Sequence, residues 1–266
     1  MSDLVDDLGT VSAHRPGEVR RVVSLVPSLT EALAVTAPGL VVGATDWCTH
    51  PADLDVVRVG GTKNPRVDAV LALAPDLVVA NEEENRVADI VALRAAGLDV
   101  WVTGPRTLAE CFGSLRRMIA ACGLDAPAWL DQARQVWSST YDGSAPRLTA
   151  VVPIWRRPWM VLGSDTFAGD VLRQLGIANV YAGDGDRYPK IGIEQLLARR
   201  ADLVVLPDEP YAFTAQDGPE AFPEHRVALV SGRHLTWYGP SLVEARDLLE
   251  VQLAAATVAP GPGGQL

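Results

Sequence analysis

VDAVLALAPDLVV, at residues 67–79, returns position by position as IEQLLARRADLVV at residues 193–205. In each copy a carboxylate, Asp68 or Glu194, stands eight residues before the aspartate that opens the apolar run DLVV. An acid in the first turn of a short helix, followed by a continuous apolar strand, is typical of a helix–strand unit in a buried parallel sheet. Because the unit occurs once in each half of the chain, the sequence predicts two similarly built lobes.

Short apolar strands alternate with helical stretches on both sides of these two copies. The predicted strands lie at residues 20–27, 40–44, 76–80, 99–103, 148–153, 178–181, 202–207 and 226–231. The predicted helices lie at residues 28–37, 68–73, 85–96, 107–141 with a break at 123–127, 167–175, 192–199 and 241–256. This alternation predicts an α/β fold of two Rossmann-like lobes with mainly parallel sheets.

A break in the long helical stretch suggests how the lobes are joined. Pro127 ends the sequence GLDAP and suits the first turn of a new helix, so we predict a single long helix between the lobes. The predicted division is an N-terminal extension (1–19), an N-terminal lobe (20–124), the connecting helix (125–145), a C-terminal lobe (146–257) and a disordered tail (258–266).

Composition limits the classes of partner. A chain of 266 residues is long enough for two cores, and 48% apolar with 21% charged residues is ordinary for a folded protein. The net charge of −10, without a basic run, argues against nucleic acid as a ligand. No secretory signal, lipobox cysteine or membrane-spanning apolar stretch occurs in the sequence, which therefore predicts a cytoplasmic protein that does not itself span a membrane. Separately, we expect a monomer.

The sequence shows no familiar catalytic site. Cys48, Cys111 and Cys122 are odd in number and lack CxxC spacing, so we expect buried free thiols. The motifs GxSxG, GxxxxGK[ST], HExxH and GxGxxG are all absent. We therefore predict no catalytic residues, although an unfamiliar enzyme stays open as an alternative.

Aromatic residues recur where predicted strands end. Trp47, Trp155, Trp159, Trp237 and Tyr238 all follow such strands. Ligands of open parallel sheets bind beyond the carboxyl ends of the strands, and large flat side chains bury much area there. We therefore predict an aromatic-lined ligand site in the cleft between the lobes; the alternative is that each ring covers the core of its own lobe.

Charged and imidazole side chains share these loops. Arg156 and Arg157 suit a carboxylate- or phosphate-bearing ligand, or else lie solvated in a hairpin turn around Pro158. His50 and His234 are candidate metal ligands, but no third ligand accompanies them, and a hydrogen-bonded structural role is the favoured interpretation of each. We predict no intrinsic cofactor, and a metal, if present, would arrive with the ligand and could be capped by one histidine.

Several motifs together resemble a known family. They are VVSLVPSLTE at residues 22–31, VGATD at 42–46, VGG at 59–61, LAPDLVV at 73–79 and LDVWV at 98–102. In this order they resemble the helical-backbone metal receptors, the class III periplasmic substrate-binding proteins of cobalamin, haem and siderophore importers, and most of all the vitamin B12 receptors of ABC importers. The resemblance covers residues 20–256. It implies two α/β lobes bridged by one rigid helix, and a metal chelate carrying cobalt or iron between them.

The resemblance also implies roles for individual residues. Asp68 and Glu194 match the paired carboxylates, one in each lobe, that such receptors offer to the arginines of an ABC permease.

The predicted ligand-binding set is Pro27, Ser28, Trp47, His50, Lys63, Asn81, Trp155, Arg156, Arg157, Trp159, Tyr188, Trp237 and Tyr238. Family members usually work in the periplasm or anchored outside the cell. The alternatives to a receptor are a cytosolic enzyme or chaperone of cofactor metabolism, and a regulatory module that docks partners through the two carboxylates.

Overall fold

A computed structural model describes residues 4–13, 17–138 and 145–259 of the chain. The chain divides into two compact units. Unit 1 comprises Met1–Pro105, Ala109–Arg134 and Tyr238–Pro240, and unit 2 comprises Arg106–Leu108, Gln135–Trp237 and Ser241–Leu266. Each unit contains its own sheet and its own hydrophobic core.

Unit 1 is built on a five-stranded parallel sheet. Up to residue 137 the elements are β1 (Val22–Ser24), α1 (Pro27–Thr36), β2 (Val41–Ala44), β3 (Val57–Arg58), β4 (Gly60–Gly61), β5 (Asn64–Pro65), α2 (Val67–Ala72), β6 (Leu77–Asn81), α3 (Val87–Ala95), β7 (Val100–Thr103), α4 (Leu108–Ala121) and α5 (Ala128–Trp137). The strand order is β3-β2-β1-β6-β7. Strands β1, β6 and β7 are buried along their whole length, which explains their unbroken apolar sequences.

The N-terminal segment covers the outer edge of this sheet. The Asp7 amide donates to the Val102 carbonyl at 3.1 Å, and the buried Asp6 carboxylate accepts from the Val102 amide at 3.1 Å. The Asp7 carboxylate accepts from the Gly104 amide at 2.8 Å. Edge strands left open invite pairing with other chains, so this segment protects β7. Residues 4–13 of the predicted extension are therefore integral to unit 1.

Unit 2 repeats the architecture with a second five-stranded sheet. Its elements are β8 (Leu148–Val151), β9 (Pro153–Arg156), β10 (Trp159–Val161), α6 (Phe167–Gln174), β11 (Ile177–Asn179), α7 (Ile193–Ala198), β12 (Leu203–Pro207), a short 3-10 turn (Pro219–Ala221), β13 (Arg226–Val230), α8 (Gly232–Thr236), α9 (Leu242–Ala254) and β14 (Thr257–Val258). The order is β11-β8-β12-β13-β14, and only β14 runs antiparallel to its neighbour. Strands β9 and β10 form a separate hairpin.

The structure explains the sequence repeat. Asp76 accepts hydrogen bonds from the amides of Arg20 and Arg21 at 2.7 and 2.8 Å, directly before β1. Asp202 accepts from the amide and the hydroxyl of Thr149, both at 2.7 Å, at the start of β8. These bonds from Thr149 lower the pKa of Asp202. The aspartate of each DLVV run thus fixes the start of the neighbouring parallel strand, which is why it recurs.

The predicted fold class is confirmed, with differences in detail. The strand β3, the β4–β5 hairpin, the short helix α8 and the strand β14 were not predicted, because two- to five-residue elements leave little periodicity in a sequence; a hairpin turn at Pro158 was one of two open interpretations. Of the predicted connecting helix the structure shows Ala128–Trp137, and residues 139–144 lie outside the described part. Of the predicted tail, Val258 belongs to β14 and Ala259 is buried, whereas residues 260–266 also lie outside it. The domain boundaries stay predictions. No helix in the described ranges is both long enough and apolar enough to cross a membrane.

Candidate functional site

In unit 1 the loop after β2 presents an exposed tryptophan. The Trp47 residue is 67% exposed, whereas its neighbour Cys48 is fully buried. Arg58 fixes the backbone of this loop by donating to the carbonyls of Thr45 and Cys48 at 3.1 and 2.8 Å. A Cβ atom added at Gly61 would lie 3.6 Å from the indole nitrogen, so the ring rests beside the β4–β5 hairpin. The loop is rigidly held while its aromatic side chain faces solvent.

Asn81, at the carboxyl end of β6, lies in a buried hydrogen-bond network. Its amide nitrogen donates to the carbonyl of Thr103 at 2.9 Å and to the Tyr238 hydroxyl. Its amide oxygen accepts from the backbone amides of Glu83 and Glu84 at 2.8 and 3.0 Å. Burial raises the pKa of Tyr238 well above its ordinary value, so the phenol stays neutral. The network shapes the loop after β6 and ties Tyr238 to unit 1.

Lys63 and Asn85 hold the same loop from the other side. The Asn85 side chain donates to the carbonyls of Leu25 and Thr62 at 3.2 and 2.9 Å. The exposed Lys63 ammonium donates to the carbonyl of Glu83. Pro27 and Ser28 begin α1 at this edge of the sheet, and both are buried. Contacts of these residues with a ligand stay predictions.

In unit 2 the β9–β10 hairpin carries an aromatic cluster. Trp159 stacks on Phe213 with ring centroids 6.1 Å apart and meets the edge of Phe222 at 5.4 Å. Trp155 packs edge-on against Tyr211 at 5.6 Å and remains 41% exposed. Trp159 therefore contributes mainly to the cluster, whereas Trp155 keeps much of its surface accessible.

The two arginines of the hairpin differ in their surroundings. Arg156 forms ion pairs with Asp217 and Glu220, and its guanidinium lies 5.6 Å from the Trp159 ring centroid. Burial raises the pKa of Glu220, but hydrogen bonds from the Gly218 amide and from Arg156 outweigh this effect and lower it overall. Arg157 is exposed in the turn. Arg156 thus holds the segment around residues 217–220 against the hairpin.

A depression of about 500 Å³ lies beside this turn in unit 2. Its lining residues are Arg156, Arg157, Pro158, Trp159, Lys190, Ile191 and Gly192. It is open to solvent and combines basic with apolar side chains, which suits an anionic group carried on an apolar body.

Trp237 and His234 are buried in unit 2. The Trp237 indole donates to the Glu209 carboxylate at 3.0 Å, and the Arg233 guanidinium lies 5.9 Å from its ring centroid. Burial raises the pKa of Glu209, although the bond from Trp237 opposes the shift. His234 lies 2.8 Å from the Ser231 hydroxyl and 3.0 Å from a Glu244 carboxylate oxygen. These bonds give His234 a structural role.

Four predicted residues remain, of which two are half-buried and two are exposed. His50 is half-buried, with its Nδ1 atom 3.2 Å from the Thr49 hydroxyl. Tyr188 is half-buried, and its amide donates to Asp186. No group of three or more potential metal ligands occurs within the described ranges. Asp68 and Glu194 are exposed in the first turns of α2 and α7.

Sequence reasoning missed the residues that hold the hairpin in place. Tyr211, Asp217, Glu220 and Lys190 are separated from Arg156 by more than thirty positions in the chain. The only available signal was that Tyr211 follows the predicted strand DLVVLP. Their proximity to the hairpin required the tertiary structure.

Comparison with known proteins decides the family. The model of the family described as "Periplasmic binding protein" matches residues 22–228, which is most of the chain. The chain belongs to the periplasmic binding protein family. A vitamin B12-binding protein of Vibrio cholerae is 23% identical over 197 residues, covering 71% of each chain. An uncharacterized ABC transporter substrate-binding lipoprotein of Bacillus subtilis is 27% identical over 264 residues, covering 92% of this chain and 83% of the relative.

Solved structures of periplasmic binding proteins share the fold. The periplasmic heme-binding protein RhuT from Roseiflexus sp. RS-1 superposes with a TM-score of 0.73 at 19% identity, covering 89% of this chain and 97% of that one. The resemblance noted from the sequence motifs is thereby confirmed. The family consists of binding proteins, and these relatives support the substrate-binding interpretation rather than an enzyme, chaperone or regulatory module. They do not support the predicted cytoplasmic location, because their names describe periplasmic proteins and a lipoprotein.

Proposed function

We propose that this periplasmic binding protein is the substrate-binding component of an ABC importer and binds a metal chelate of the corrinoid, haem or ferric siderophore class. One observation carries the proposal. All seven tryptophans lie in the described part of the chain, and only Trp47 and Trp155 are exposed. Each of the two follows a strand of its own unit's sheet, at the carboxyl end where ligands of such sheets bind.

Exposed indoles at these positions favour a flat, partly apolar ligand. Trp101, Trp129, Trp137 and Trp237 are all buried, so the chain places most of its tryptophan surface in its cores. An exposed indole in a loop held by Arg58, or on a hairpin held by Arg156, offers a preformed stacking surface. A macrocycle or an aromatic chelator would bury that surface at little cost in side-chain entropy.

The relatives support the ligand class and the transport role. Their names include a vitamin B12-binding protein, a heme-binding protein and an ABC transporter lipoprotein. We propose that the metal, cobalt or iron, belongs to the ligand and not to the protein. His50, half-buried in the loop that also carries Trp47, is the proposed candidate for an axial contact.

Tryptophan fluorescence titration tests the proposal. Haemin, cyanocobalamin and a ferric siderophore are added separately, and we expect one of them to quench the emission with a Kd in the micromolar range or below. Replacing Trp47 or Trp155 by Ala is expected to weaken that binding about tenfold, which is about 1.4 kcal/mol.

Val251→Ala is the matched control. Its side chain is 68% exposed on α9, so the change removes exposed apolar surface elsewhere and should leave the affinity unchanged. The proposal fails if none of the three chelates binds to the wild-type protein at micromolar concentration. It also fails if both tryptophan variants bind like Val251→Ala.

A further inference from the structure

The depression beside the β9–β10 turn contains two cations that pair with no acidic side chain among the described residues. Arg157 and Lys190 both line it, and neither has an ion pair or a side-chain hydrogen bond with any residue the structure describes. The chain has 33 acidic and 23 basic side chains, so acidic partners are plentiful elsewhere. Two uncompensated cations in one concavity therefore mark a place where negative charge would be stabilised.

Backbone pairing places the Lys190 segment beside the hairpin that carries Arg157. Lys190 lies opposite Met160 in an isolated antiparallel bridge, so the backbone of residues 189–191 runs beside β10. The Ile191 amide donates to the Trp159 carbonyl at 3.1 Å, and the Val161 amide donates to the Pro189 carbonyl at 3.1 Å. This ladder places the Lys190 segment alongside the turn that carries Arg157.

Arg156, at the same turn, differs from Arg157 because its charge is neutralised by acidic side chains. Its guanidinium is paired with two carboxylates and lies over Trp159. Its hydrogen-bonding capacity is directed to Asp217 and Glu220, so it acts as a positioning residue for the hairpin. Pro158, Trp159 and Ile191 complete the lining with apolar surface.

We infer that the depression is an anion subsite in which Arg157 and Lys190 bind a carboxylate or phosphate carried on an apolar body. The inference rests on the proposed function in one respect, because it identifies the chelate as one that bears such a group. Arg157 supplies a planar fork of donors and Lys190 a point charge, a pair that suits the oxygens of either anion.

Paired ligands test the charge requirement directly. Haemin carries carboxylates that its dimethyl ester lacks, and cyanocobalamin carries a phosphodiester that cobinamide lacks. For a carboxylate ligand, we expect the double variant R157Q/K190Q to bind haemin at least about tenfold more weakly than the wild type does. The double variant and the wild type should bind the ester with the same affinity. For a phosphate ligand the same contrast is expected between cyanocobalamin and cobinamide.

A small probe separates this inference from the proposed function. Naphthoate, a carboxylate on an aromatic body, is titrated against the isotope-labelled protein while the amide resonances of Ile191 and Gly192 are followed. The control R134Q/R200Q removes two exposed arginines outside the depression, so its net charge matches that of the double variant. We expect naphthoate to shift the two amides in the wild type and in this control, and not in R157Q/K190Q.

The outcomes discriminate between the two ideas. Absence of naphthoate shifts at Ile191 and Gly192 in the wild type overturns the subsite. So does a chelate whose preference over the partner that lacks the anionic group is unchanged in R157Q/K190Q. If no chelate binds but naphthoate shifts both amides in a manner that depends on Arg157 and Lys190, the proposed function fails and the anion subsite stands.

Discussion

Replacing Asn81 by Ala should destabilise unit 1 by about 3 kcal/mol, because its side chain forms four hydrogen bonds of 3.0 Å or less. Asn81 is only 4% exposed. Its loss removes a donor from the Thr103 carbonyl and from the Tyr238 hydroxyl, both buried, at about 1 kcal/mol each. The Thr103 carbonyl keeps the amide of Glu82 as a second donor, which limits the cost.

The other two groups are the amides of Glu83 and Glu84, which are half-buried. Water can replace their acceptor, so each should cost about 0.5 kcal/mol. The four contributions give the expected total of about 3 kcal/mol. Asn81→Asp keeps the acceptor for both amides but brings a carboxylate towards the Thr103 carbonyl, so this variant should be least stable when the carboxylate is ionised.

Urea unfolding followed by circular dichroism measures the free energy of unfolding. Amide hydrogen exchange in β6 and β7 assigns the loss to unit 1. Asn64→Ala is the control, because Asn64 is exposed in the β4–β5 hairpin and should change stability by less than about 0.5 kcal/mol. If Asn81→Ala is no less stable than Asn64→Ala, the hydrogen-bond network does not hold the loop after β6.

Three further predictions concern the thiols, a buried carboxylate and the exposed acids. Burial raises the pKa of all three cysteine thiols, that of Cys122 to about 12. A thiol reagent should therefore label none of them in the native protein and all of them in denaturant, and fast labelling of the native protein would contradict their burial. Burial raises the pKa of Glu209, so ionisation of this carboxyl opposes folding. The stability of Glu209→Gln relative to the wild type should therefore increase as the pH rises from the ordinary pKa of 4.5 through the raised pKa. A stability difference that does not change with pH would refute this prediction. Immobilised wild-type protein should retain a detergent-solubilised ABC permease, and Asp68→Lys or Glu194→Lys should abolish this retention. The control Asp125→Lys, which changes another exposed acid, should not. Retention by all three variants would exclude Asp68 and Glu194 as the docking sites.

Local patterns determined much of the architecture. The DLVV runs had to be buried strands, because both faces of a parallel sheet are covered, and the preceding acids had to open short helices. As predicted, both exposed tryptophans follow sheet strands: Trp47 lies in the loop after β2, whereas Trp155 lies in β9, directly after β8. These features depend on residues close together in the chain, so periodicity and composition suffice to predict them.

Local sequence did not predict whether each candidate side chain is buried or exposed. Trp237 and Tyr238 are adjacent in sequence and were predicted together as ligand contacts, yet Trp237 is buried against Glu209 of unit 2 and Tyr238 against Asn81 of unit 1. Nothing in the local sequence distinguishes a buried strand-end aromatic from an exposed one. Burial depends on which distant residues pack against the ring.

The sequence by itself therefore determined that two parallel α/β units exist and where their loops fall, because these follow from short-range patterns of apolar residues. Only the tertiary structure decided that Arg156 is neutralised by Asp217 and Glu220, while Arg157 and Lys190 form no ion pair within residues 4–13, 17–138 and 145–259. The physical reason is that charge compensation acts through space. Partners more than thirty residues apart in the chain become neighbours only when the strands and hairpins have packed.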